Sequence, residues 1–61
     1  MANLTSKELS AIEDTLSVEQ NLIKKYGMYA QQSTDKCIQD KCEQIAQKHR
    51  THYNTLMSHL S

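Results

Sequence analysis

Apolar residues recur every three or four positions through two long stretches, and one short polar cluster separates them. In the first stretch Leu9, Ile12, Leu16, Glu19, Ile23, Tyr26 and Ala30 step by three and four throughout. On an α-helix that spacing returns to the same side at each step, so it makes a seam with one polar intruder, Glu19. In the second stretch Ile38, Cys42, Ile45, His49, His52, Leu56 and His59 step the same way. Between them Gln32-Ser33-Thr34-Asp35 is the only turn-like cluster. So short a connection forces two helices to lie antiparallel. The predicted architecture is all-α: one domain over 1–61, an antiparallel two-helix hairpin with helix 1 over about 6–32 and helix 2 over about 36–60.

The ends of both helices carry their own signals. Thr5-Ser6-Lys7-Glu8 is a capping box, in which the Thr5 hydroxyl accepts from the Glu8 amide and the Glu8 carboxylate reaches back. Leu4 and Leu9 stand at the staple positions on either side. Asp35 or Thr34 caps the second helix. Gly27 costs about 1 kcal/mol against Ala in a helix interior. Met28 to Gln32 are fair helix formers, so helix 1 is expected to continue through it.

A second apolar line flanks each seam: Ala11, Val18, Leu22 and Tyr29 on helix 1, and Ala46, Tyr53 and Leu60 on helix 2. Lys36, Asp40, Glu43, Gln47, Arg50, Asn54 and Ser58 form the wet face of helix 2. One hairpin can bury only one line internally. A chain of 61 residues also hides only about 60% of its unfolded surface, so it needs a staple. With one Gly and no Pro, Trp or Phe, the composition is helical and favours oligomerisation as that staple. The expected partner is a second copy, giving a four-helix bundle. The tyrosines Tyr26, Tyr29 and Tyr53 are expected to supply core with a wet hydroxyl end.

Charge excludes some functions. Seven basic residues balance seven acidic ones, so no cationic field draws nucleic acid or anionic lipid. A small RNA-binding hairpin dimer, similar in size and shape to the Rop protein, is a competing possibility. However, Lys24, Lys25, Lys41, Lys48 and Arg50 are spread over different faces and levels, and no nucleic acid is expected. No apolar run approaches the roughly 20 residues of a membrane span. Met1-Ala2-Asn3-Leu4-Thr5 lacks the basic and apolar regions of a signal peptide. The expectation is cytoplasmic synthesis with no membrane partner. Cys37 and Cys42, five apart, point about 140° from each other on a helix and cannot bridge within it. They are read as small buried hydrophobes. No nucleophile–base pair, phosphate loop or glycine fingerprint is present, so no enzyme activity is expected.

The polar layer is the candidate site. With the turn centred near 33 or 34, facing residues sum to about 67, and Glu19 faces position 48. His49 and His52 then lie within one turn of it. One role for this layer is packing: Glu19 bonds a histidine and fixes register, as lone polar residues do in coiled coils. The other is a metal site. Two histidines at i and i+3 on one helix and a carboxylate from the facing helix supply three ligands suited to zinc or iron. In a twofold dimer six such side chains would meet, enough for a two-metal cluster. His59 falls near the open end opposite Glu8, in a solvated setting.

The stretches Leu4-Thr5-Ser6-Lys7-Glu8-Leu9, Glu19-Gln20-Asn21-Leu22-Ile23-Lys24-Lys25-Tyr26 and His49-Arg50-Thr51-His52-Tyr53-Asn54-Thr55-Leu56 resemble the coat F family. These are spore coat proteins of endospore-forming bacteria, similar to the ferritin-like superfamily. The resemblance covers nearly the whole chain as a half-size, single-hairpin version. It implies a four-helix bundle completed by a second chain, and a structural role in or around the spore coat, with other coat proteins as partners. Ferritin-like diiron proteins use a Glu on one helix and Glu-x-x-His on the next, repeated twice. Glu19 matches the first element and His52 the ligand His, while His49 stands where that motif has Glu.

Overall fold

The computed structural model describes residues 4–60; Met1–Asn3, part of the segment read for an export signal, and Ser61 lie outside them. Two helices make up the fold: α1, Ser6–Gln32, and α2, Lys36–Ser58. The longest dimension is 46 Å. A 27-residue helix alone spans about 40 Å, so the two can only lie side by side. The three-residue link makes them antiparallel, and the hairpin is all-α as the spacing predicts.

Each end is closed locally. The capping box forms: the Glu8 amide donates to Thr5 Oγ1 at 3.1 Å and the Thr5 amide to Glu8 Oε1 at 3.0 Å. Asp35 caps α2, its Oδ1 accepting from the Cys37 amide at 2.8 Å and the Ile38 amide at 3.3 Å. The link is tightened by the Asp35 amide donating to Ser33 Oγ at 3.1 Å. Gly27 does not break α1, and a Cβ there would meet nothing within 4 Å. The α2 helix stops two residues short of expectation, at Ser58, and the chain ends in a turn through His59 and Leu60.

The Thr5 bonds hold the Glu8 carboxyl below its ordinary value of 4.5. A carboxyl whose folded value is depressed stabilises the fold fully above its unfolded value and loses that contribution as pH falls through the folded one. The first turn of α1 should therefore be intact above about pH 4.5 and fray below it. Amide exchange at Lys7 to Leu9 checks this, and Glu8→Gln, which removes the titrating carboxyl, should remove the dependence.

On α1 the expected seam is the buried side. Glu19 and Ala30 are buried, and Ile12, Leu16, Ile23 and Tyr26 are half-buried. Leu9, near the open end, is exposed instead. The α2 helix is rotated from expectation by part of a turn. Its inner line is Gln39, Cys42, Ala46, His49, Tyr53, Leu56 and Leu60, all buried or half-buried. Ala46, assigned to a flanking line by the sequence, is the most enclosed residue, at 1% exposure. Of the expected seam, Cys42, Ile45, His49 and Leu56 are buried or half-buried, while Ile38 is 51% exposed and His52 and His59 are also exposed. The physical reason is size: a methyl at 46 lets the two backbones approach where an isoleucine would hold them apart.

The wet face of α2 is exposed throughout, as expected. Cys42 is buried, but Cys37 is exposed and does not act as core; both thiols are free. Tyr29 is exposed too. Among the described residues no helix is long and apolar enough to cross a membrane.

Candidate functional site

Glu19 sits mid-way along α1 on its inner side, and at 9% exposure it is the buried charged residue of the hairpin. Burying a carboxylate without partners is costly. Its partners come from α2. His49 Nδ1 lies 2.9 Å from Glu19 Oε2. With Glu19 ionised the carboxylate only accepts, and the ring nitrogen is then the donor. His52 Nδ1 approaches the same oxygen at 3.5 Å. The facing register expected from the loop is thus observed to within one residue. No buried side-chain polar atom among the described residues lacks a partner.

The two histidines differ in setting. His49 is on the inner line, with a side chain 20% exposed; His52 is one step outward and 49% exposed. Their rings meet edge to face, with centroids 5.5 Å apart. Tyr26 stacks on His49 at 6.4 Å and 15° between planes. Tyr26 lies seven residues after Glu19 on the same seam, and that spacing was the signal for its place beside the layer. The Gln20 amide donates to the Tyr53 hydroxyl at 3.3 Å across the hairpin; nothing in the residue spacing marked Gln20 for it.

One ligand atom from each of Glu19, His49 and His52 lies within 4.8 Å of the others. All three candidate residues are therefore brought together by one chain. His59, by contrast, is exposed beyond the end of α2. An open groove lined by Ala30, Ala46, Gln31, Glu43, Gln47 and Arg50, part apolar and part polar, lies on the opposite side and includes none of the three.

The hairpin is two-sided. At about 100° per residue, Ile38, Ile45, His52 and His59 recede to one side of the α2 inner line. In an antiparallel hairpin Ala11, Val18, Leu22 and Tyr29 of α1 recede to the same side. Val18, Tyr29 and Ile38 on it are exposed. Lys25 at its edge covers the Tyr29 ring, with Nζ 5.9 Å from the centroid. Comparison with known proteins finds no family model, no curated protein and no solved structure that matches this chain.

Proposed function

We propose that the chain is a structural and interaction module that pairs with a second copy of itself through this apolar side, forming a four-helix bundle. The observation that carries it is this apolar side itself, on which Val18, Tyr29 and Ile38 are exposed and Leu22 and Ile45 half-buried. Ile38, Ile45, His52 and His59 repeat every seven residues, as do Ala11 and Val18, and Leu22 and Tyr29. Sevenfold repeats are the pattern of helices that pack on helices. Area agrees with this. The hairpin exposes 4790 Å², whereas a compact chain of 7.0 kDa exposes about 4,000 Å². The excess is comparable to the roughly 800 Å² that each partner hides in a standard interface. A second copy fits better than an unrelated partner because both helices carry the same repeat, which a twofold axis makes self-complementary.

The resemblance to coat F proteins supports placing this bundle in the spore coat, with other coat proteins as further partners. Sedimentation in chelator at micromolar concentration should give twice the chain mass, and Ile45→Glu, which puts a charge on the shared side, should give the chain mass with helicity retained. A well-folded wild-type monomer would overturn the pairing. In an endospore-forming host, the coat role further requires the protein to fractionate with the coat layers.

A further inference from the structure

We propose that Glu19, His49 and His52 bind one divalent transition-metal ion per chain, in a site that zinc fits. The proposal goes beyond self-pairing and does not rest on it, because all three ligands come from one hairpin. It differs from the ferritin-like arrangement, which takes two metals and a Glu-x-x-His pair.

The chemistry of the donor set carries it. Two imidazoles and one carboxylate are a ligand set used for zinc with a fourth, open position and for ferrous iron in oxygen-handling sites. Zinc bonds to nitrogen and carboxylate oxygen are about 2.0–2.2 Å, so neighbouring ligands of a tetrahedral ion stand roughly 3.3 Å apart. The Glu19–His49 and Glu19–His52 separations of 2.9 and 3.5 Å bracket that spacing, and the third separation is within 4.8 Å. The ring contacts help to hold the donors. Tyr26 stacks on His49, and His49 meets His52 edge to face, so neither imidazole stands alone. On binding, His49 Nδ1 gives up its hydrogen bond to Glu19 and offers its lone pair to the ion, with the proton of the neutral ring held at Nε2; a ring that carries two protons releases one to solvent.

His52 gives the site its access. Its side chain is half in water, so an ion and a further ligand can reach the three donors from solvent. A water molecule, a small anion or a side chain of a second copy could each complete the shell.

The test uses the full chain, stripped by chelator, with zinc as the probe and cobalt(II) as its spectroscopic stand-in. Equilibrium dialysis should return one zinc per chain, with a higher melting temperature in zinc than in chelator. Cobalt should show the visible bands of a tetrahedral site. His52→Ala changes a half-exposed residue and should fold; it should weaken zinc binding about 100-fold or more and abolish the cobalt bands, as loss of a ligand exceeds the 10–100-fold of an outer-shell partner. Glu19→Gln, which keeps shape and hydrogen bonding, should do the same. His59→Ala, remote and exposed, should bind like wild type. No stoichiometric zinc in the wild type, or equal loss in His59→Ala and His52→Ala, would overturn the site. Sedimentation in chelator separates this failure from failure of self-pairing.

Discussion

Leu16→Ala is expected to destabilise the protein by about 2–5 kcal/mol, the range for removing a large side chain from a packed interior. Leu16 is half-buried in the hairpin, so the lower part of that range applies to the hairpin alone and the upper part to a bundle that finishes enclosing it. Each 1 kcal/mol moves the melting temperature of so small a domain by about 4–8 °C. A fall of roughly 10 °C or more should therefore be read by circular dichroism. Ile38→Ala is the control that separates the two states. In an isolated hairpin its side chain is exposed, and the change should stay within about 0.5 kcal/mol. In a bundle it loses buried area and should follow Leu16→Ala. A Leu16→Ala protein that melts with the wild type would mean the α1 seam is not the packed side.

Much of this was legible in the residues, and the failures share a cause. The α1 seam could be read because its line, Ile12, Leu16, Glu19, Ile23, Tyr26 and Ala30, steps by three and four without a gap, whereas the flanking Ala11, Val18, Leu22 and Tyr29 leave gaps of seven. The caps could be read because Thr5, Glu8 and Asp35 make bonds that depend only on local spacing. On α2 two adjoining lines compete. One carries Ile38 and Ile45, the other Ala46, Tyr53 and Leu60. Hydrophobicity favours the isoleucines, but close approach of two helices favours the methyl of Ala46. Which line turns inward is a property of the pair, and spacing within one helix does not contain it. The same rotation explains Cys37, which stands beside Ile38 and is exposed with it. The polar layer survived because His49 lies on the inner line and His52 on the outer one. A rotation of α2 by part of a turn changes which histidine is the closer partner of Glu19 but leaves both within reach.

His49→Leu is expected to be the costly change in that layer, and a second substitution should reverse it. With His49 gone, the Glu19 carboxylate keeps only His52, at 3.5 Å and half in water. A buried acid that loses its shorter donor retains most of its desolvation cost, about 2–3 kcal/mol by the measure of buried groups left unpaired. Glu19→Leu is the milder change, because the His49 ring nitrogen that it leaves without its partner is one-fifth exposed and within reach of water; about 1 kcal/mol is expected. Combining the two removes donor and acceptor together and puts apolar surface against apolar surface. Replacing a buried polar pair in this way is often neutral or stabilising. The double variant, unfolded by urea in chelator, should therefore be about as stable as the wild type, with a coupling of roughly 3 kcal/mol between the two sites. If the double variant is destabilised by the sum of the singles, Glu19 and His49 do not act as a pair. What the double variant is expected to lose is definition of register. Leucine at both positions fits the facing helix at neighbouring registers, whereas the Glu19–His49 bond fits only one. Faster amide exchange along α2 at unchanged overall stability would be the mark of that loss.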